Sequence, residues 1–131
     1  MIHYQTNMVL DPDAIISVFR SSGIQRPIDD RARIDAMFRH ANLVISAWDD
    51  QTLVGVCRAL TDFSWCCYLS DLAVSATHQR SGIGRRLVDV VQAAVGPEVS
   101  LILLSAPGAM RYYPSLGFSR IDNGFIVRRK A

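Results

Sequence analysis

The sequence predicts an α/β domain (α+β in some schemes) built on a mixed, twisted sheet, and three observations carry that reading. Short runs with period-two alternation are interleaved with runs whose apolar residues recur near every 3.6 positions. The middle of the chain reads strand, loop, helix, strand, from "WCCYLSDLAV" (65–74) through "HQRSGIGRRL" (78–87) to "VSLILLSA" (99–106), which is a crossover between neighbouring strands. With 131 residues, 50% of them apolar and 20% charged, the chain is long enough for one core without disulfide help. The expected order is β-α-α-β-β-β-α-β-α-β-β, about seven strands flanked by four helices, in a single domain over residues 1–131.

Each element has its own signal. "IHYQT" alternates as a first strand. "DPDAIISVFRSS" (11–22) opens with an Asp cap and a proline at the first helical position, so a helix follows until "GIQRP" breaks it. "DDRARIDAMFRHA" (29–41) sets Ile34, Met37, Phe38 and Ala41 on one helical stripe, with acids at its start and Arg39 and His40 near its end. "LVISAW", "DDQT" and "LVGVCRAL" form a hairpin. The helix after the glycine loop spaces Leu87, Val90, Val91 and Ala94 for one buried face. "VSLILLSA" is apolar almost throughout, as expected of a strand covered on both sides. "GAMRYYPSLG" supplies a short helix, and "FSRI" and "GFIVRRK" the last two strands.

Composition excludes several functions. A net charge of +2 gives no general attraction to nucleic acid or membrane. No apolar run approaches the roughly 20 residues of a membrane span, and the start "MIHYQTNMVLDPD" has neither the basic nor the long apolar part of a signal peptide. Cys57, Cys66 and Cys67 are odd in number, lie in strand-like runs and form no C-x-x-C, so reduced core thiols in a cytoplasmic protein are expected. His3, His40 and His78 are scattered, and no metal site is read from them.

The glycine loop is the chemical signal. A loop that ends a strand and opens a helix presents unpaired N–H groups at the helix's positive end, and glycine lets a ligand approach them. Phosphate is the natural guest. A P-loop would need G-x-x-x-x-G-K-[ST], which does not occur, and a dinucleotide fingerprint would need a third glycine where Leu87 stands. What remains is Q-x-x-G-x-G, spelled Gln79-Arg80-Ser81-Gly82-Ile83-Gly84. It resembles the coenzyme A pyrophosphate loop of the GNAT superfamily of acyl-CoA-dependent N-acetyltransferases. Around it stand "DLAV" (Asp71 to Val74) and "YYPSLGF", with Tyr113 four residues before Gly117-Phe118, and the element order is similar along nearly the whole chain.

The resemblance implies a chemistry. Acetyl-CoA is the implied cosubstrate, and the acceptor a primary amine of a small molecule or peptide, attacking directly in a ternary complex. The strand before the loop splays from its neighbour in this family. Backbone groups of Leu72, Ala73 and Val74 are thereby left for the pantetheine arm, and one N–H, at Val74 or a neighbour, polarises the acyl carbonyl. The pyrophosphate would rest on amides of the loop through Arg80, Gly82, Ile83, Gly84 and Arg85, with Gln79, Arg80 or Ser81 side chains assisting. Arg85 divides evenly between this role and a solvated helix face, to which Arg86 belongs. Tyr113 takes the family's place for the acid that protonates the departing thiolate, and Tyr112 the place of a packing aromatic. Asp71 is the candidate base. It would take the amine's proton, attract a cationic amine, or pair with an arginine such as Arg58, with Tyr68 and Ser70 orienting water.

Two departures from the family stand out. Ala106 holds the position of an asparagine that touches the coenzyme in many relatives, so that either Ser105 substitutes for it or the contact is absent, and His78 stands where tyrosine is common. The acceptor side, in this fold, includes "SSGIQRPIDD", whose Arg26, Asp29 and Asp30 favour neither sign of partner. A non-catalytic acyl-CoA sensor is the competing reading, and the presence of Tyr113 and Asp71 speaks against it. Nucleic acid is not expected as a partner. The family often dimerises, so a homodimer is allowed.

Overall fold

The computed structural model describes all 131 residues. Strands β1 (Ile2–Thr6), β2 (Leu43–Asp49), β3 (Thr52–Thr61), β4 (Cys66–Val74) and β5 (Ser100–Ile102) form one sheet in the order β1-β2-β3-β4-β5. The first four run antiparallel, and β5 lies parallel to β4. A parallel pair needs a crossover, which helix α3 (Ile83–Val95) supplies.

Helices α1 (Pro12–Ser22) and α2 (Arg31–Arg39) come before β2, and the short α4 (Tyr112–Ser115) follows β5. The α1 cap is as the residues dictate. The Asp11 carboxylate accepts from the Asp13 N–H at 3.0 Å, Pro12 is first, and Gly23 closes the helix at φ 80°. Asp30 caps α2, whose first residue, Arg31, lies two positions later than the acidic start suggested.

The sheet separates two cores. On one face α3 buries Ile83, Leu87, Val88, Val91 and Val95 against Leu43, Ile45, Ala47, Cys57 and Leu69. On the other, Ile15, Val18 and Phe19 of α1 and Ile34 of α2 pack on Val44, Val56 and Ala73. Gly55 is the point of closest approach for α3. A Cβ there would sit 3.2 Å from Ile83 and 3.3 Å from Leu87, so glycine lets the helix lie down on β3 with its N-terminus beside the end of β4.

Four expectations are corrected. The sheet has five strands, because "FSRI" and "GFIVRRK" form none. "VSLILLSA" keeps only Ser100–Ile102 as strand, and it is not covered on both sides: Leu101 and Leu103 pack on the α3 core, while Ile102 and Leu104 remain exposed. Nothing pairs with its outer edge to extend or cover it. The stripe of α3 is rotated from the expected one. Ala94 faces solvent and Val90 is half-buried, since the residues at 83, 87, 88, 91 and 95 follow the helical period more closely. Cys57 and Cys67 are buried thiols, but Cys66 lies on the exposed side of β4.

No helix is long and apolar enough to cross a membrane.

Candidate active site

Strands β4 and β5 pair only over Cys66–Tyr68 and Ser100–Ile102. Beyond Tyr68, β4 continues to Val74 with β3 on one side and no strand on the other. Leu72, Ala73 and Val74 therefore pair with Cys57, Val56 and Gly55 and leave one edge open. The β3–β4 register slips by one residue, with Arg58 opposite Asp71 and Ala59 opposite Leu69. Ser70 is thus an extra residue, a bulge of the kind that bends a strand away from its neighbour.

The glycine loop follows. Arg80 and Gly82 both adopt left-handed conformations (φ 63° and 86°), and Gly82 is the N-cap of α3 without a capping side chain. The N–H groups of residues 79 through 85 donate to no acceptor, and the first amide bonded after the loop is that of Arg86, to the Gly82 carbonyl at 3.0 Å. Most of these residues are exposed, so their amides are open at a helix's positive end, a surface suited to an anion.

Side chains around the loop have separate duties. Gln79 Nε2 donates to the Val74 carbonyl at 2.9 Å, tying the loop to the end of β4. The Ser81 hydroxyl donates to the His78 carbonyl at 2.5 Å. His78 bridges Asp49 at 2.9 Å and Thr77 at 2.8 Å, which lowers the Asp49 carboxyl through their hydrogen bond. Arg80 carries no ion pair. Arg85 donates to the Ser115 carbonyl of α4 at 2.8 Å, while the Arg86 guanidinium lies 5.8 Å from the Tyr4 ring centre. Gly84 is open for another reason than Gly82: a Cβ on it would collide with the Tyr112 hydroxyl.

Tyr112 is thus a neighbour of the loop that sequence reasoning placed in packing alone. Its ring meets Tyr113 edge-on at 5.3 Å, and Tyr113 in turn meets Phe118 at 5.6 Å. Burial raises the Tyr113 hydroxyl above its ordinary 10.0, Tyr112 and Cys57 push the same way, and Arg26 opposes them. Tyr113 therefore carries its proton throughout the neutral range. The Ser105 hydroxyl bonds to the carbonyl of Ala106 at 2.8 Å.

Asp71 is fully buried, with 0% of its surface exposed. Each of its oxygens meets a guanidinium: Oδ1 accepts from Arg26 Nε at 2.6 Å and Oδ2 from Arg58 Nε at 2.5 Å. Arg26 also donates to the Ser70 carbonyl at 2.7 Å, and Arg58 to the Ser70 hydroxyl at 2.9 Å. Arg58 further lies over the Phe38 ring at 5.7 Å. The bulge at Ser70 and the carboxylate beside it thus hold the α1–α2 loop onto β4. Arg58 was a foreseeable partner, being cross-strand; Arg26, 45 positions away, had no local signal.

The Acetyltransferase (GNAT) domain model matches residues 15–128. The chain belongs to the GNAT acetyltransferases. Solved structures share the fold of this GNAT domain over its whole length. SP0256, a GNAT-family acetyltransferase of Streptococcus pneumoniae, is 20% identical with a TM-score of 0.78, each chain covered in full. SA2161 of meticillin-resistant Staphylococcus aureus is 15% identical with a TM-score of 0.84, over 98% of this chain and 100% of the other. The aminoglycoside N-acetyltransferase AAC(6')-Iy, in complex with a bisubstrate analogue, CoA-S-monomethyl-acetylneamine, is 13% identical with a TM-score of 0.74, over 100% and 99% of the two chains. No protein of curated function matches the sequence. As a GNAT domain the protein is an acyltransferase.

Proposed function

We propose that this GNAT enzyme moves an acetyl group from acetyl-CoA to a primary amine of a small molecule or peptide, by direct attack within a ternary complex. The observation that carries the reading is the continuity of the unpaired β4 edge with the unbonded amides of residues 79 through 85. A pantetheine arm can pair along the first and a pyrophosphate can rest on the second. Gln79 fixes the junction between them, so its role is to shape the cradle, and Arg80 is the side chain available to the phosphates.

The chemistry follows from these positions. A main-chain N–H near Val74 polarises the thioester carbonyl. The amine nitrogen forms the new C–N bond, the tetrahedral adduct collapses, and the C–S bond breaks with its electrons on sulfur. The Tyr113 hydroxyl gives its proton to the thiolate and is reprotonated by the proton that the adduct's ammonium nitrogen releases through solvent, leaving the amide and free coenzyme A thiol. With both oxygens engaged by guanidiniums and no exposed surface, Asp71 is assigned here as the anchor of Arg26 and Arg58 in place of a base. The amine accordingly enters neutral, having lost its proton to solvent. Three unpaired cysteines suit a reducing compartment, and we place the enzyme in the cytoplasm.

Thiol release with acetyl-CoA and a panel of small amines and peptides tests the reading. Turnover is expected with at least one acceptor, and Tyr113→Phe should lower kcat by about a hundredfold or more. Full rate in that variant removes Tyr113 from the mechanism. Binding of acetyl-CoA without turnover on any acceptor leaves the non-catalytic sensor in its place.

A further inference from the structure

Helices α1 and α2 cover only part of their side of the sheet. They pack on Val44, Leu53, Val56 and Ala73, and the last residues of β3 and the first of β4 lie beyond them. One row of apolar side chains crosses this uncovered part. Leu60 of β3 stands opposite Tyr68 of β4, and Tyr68 opposite Ile102 of β5. Their chain neighbours Ala59, Cys67, Leu69, Leu101 and Leu103 turn into the α3 core, so the two-residue period sends all three to the other face. They are 40%, 40% and 42% exposed, and Phe63 and Trp65, in the turn joining β3 to β4, are more so. Large apolar groups left in water together mark a binding surface.

Its place in the fold gives this surface a use. Tyr68 and Ile102 are the last pair before β4 and β5 part. The row therefore ends at the open edge of β4, where the acetyl-transfer reading lays the thioester arm. The Tyr113 hydroxyl feels both faces of the sheet there: Cys57 belongs to the α3 core, and Arg26 clamps Ser70 and Asp71 from the opposite side.

Charge narrows the class of guest. From Thr52 to Val74 the chain carries two carboxylates, and neither is free. Asp62 accepts from the amides of Ser64, Trp65 and Cys66, and Asp71 from Arg26 and Arg58. A second ammonium group on the guest finds no counter-charge on these strands and meets two guanidiniums instead. The main chain along the row is paired from strand to strand, so a peptide finds no free backbone partner there.

We propose that Leu60, Tyr68 and Ile102 form the floor of the acceptor site, and that the acceptor is a small monoamine with an aromatic or branched aliphatic body. The inference rests on the acetyl-transfer reading for the place of the acyl group, and adds the substrate class. The body leaves water against the row, with the Tyr68 ring as its aromatic face, while the single nitrogen points into the fork between β4 and β5.

Thiol release from acetyl-CoA with 2-phenylethylamine, ethylamine, spermidine and a tripeptide beginning with leucine compares the classes. kcat/KM for 2-phenylethylamine is expected to exceed each of the others by about tenfold or more. L60S/I102S should lower its ratio to ethylamine by about tenfold, with wild-type far-ultraviolet dichroism showing the variant folded. L60K, a single change at an exposed position, should lower the same ratio. Preference for any of the other three acceptors overturns the inference and leaves acetyl transfer standing. A ratio that holds in both variants does the same, and if L60S/I102S then alters sedimentation, the row is an interface between copies. If no amine is turned over, calorimetry of 2-phenylethylamine on protein loaded with coenzyme A separates the two readings. Binding that L60S/I102S abolishes keeps the floor and removes the catalysis; absence of binding removes the floor.

Discussion

Gly82 and Gly84 sit two apart in the loop, and glycine is required at each for a different reason. Gly82 has φ 86° and open space around it, so what a side chain would cost there is backbone strain of about 1–2 kcal/mol. Gly84 has no such constraint, but its missing Cβ makes room for Tyr112. Gly82→Ala should therefore lower stability by about that amount in urea titrations, and weaken coenzyme A binding by calorimetry because the amides no longer converge. Gly84→Ala should displace the Tyr112 ring, and the double change to G84A/Y112F should restore part of what G84A loses. Asp71→Asn strands two guanidiniums, and the loss of a buried partner of this kind costs roughly 3–5 kcal/mol, read as a fall in urea midpoint. Asp62 provides the clearest acid response. Its carboxylate accepts from the amides of Ser64, Trp65 and Cys66, which lowers it from 3.8 to about 2. A carboxyl depressed by folding stabilises above its unfolded value and loses that contribution as pH falls toward the folded one. Thermal unfolding of Asp62→Asn should thus show a weaker pH dependence than wild type between 3.8 and about 2. The loop motif was legible in the sequence because its spacing is local, and the Asp71–Arg58 pair was at least foreseeable as cross-strand neighbours. Arg26 was not, because a contact over 45 positions leaves no periodic trace.

Among the elements, α1 was readable to the residue because Asp11, Pro12 and Gly23 are caps whose chemistry is confined to one turn. The buried stripe of α3 was read a step out of phase. The apolar residues of "RRLVDVVQAAV" surround more than one side of the helix, and only the sheet decides which ones turn inward. Substitution separates the two stripes. Leu87→Ala should cost about 2–5 kcal/mol, whereas Ala94→Lys on the exposed side should stay within about 0.5 kcal/mol of wild type, both by chemical denaturation. The bulge in β4 was not legible either, since Ser70 is an ordinary strand residue until Arg58 and Asp71 pin the register on either side. The slip falls just beyond Tyr68, the last residue of β4 that pairs with β5.

For the whole molecule, the element order through β5 followed from hydrophobic periodicity, and the last two strand-like pieces, "FSRI" and "GFIVRRK", form no strand. Apolar residues make a segment competent to pair; they do not say with which edge. The pH dependence of turnover belongs to this scale as well, because it reflects the arrangement of both substrates. With solvent taking the amine's proton, kcat/KM should climb with pH toward the acceptor's own value, near 10 for an alkylamine. The Tyr113 hydroxyl, raised by burial, remains protonated over the same span. An inflection between pH 5 and 8 that vanishes in a variant of a single side chain would identify a base within the chain instead.

The clamp of Arg26 on Asp71 and the Ser70 carbonyl bears on attempts to re-engineer the loop between α1 and α2. A segment transplanted between the first two helices from another member of the family will dock only if it carries an arginine able to reach the same carboxylate. Without it the graft loses its fastening, and the buried Asp71 keeps Arg58 alone. Diversification by point changes at Gln25, Pro27 and Ile28, leaving Arg26 untouched, is the route that keeps the scaffold intact.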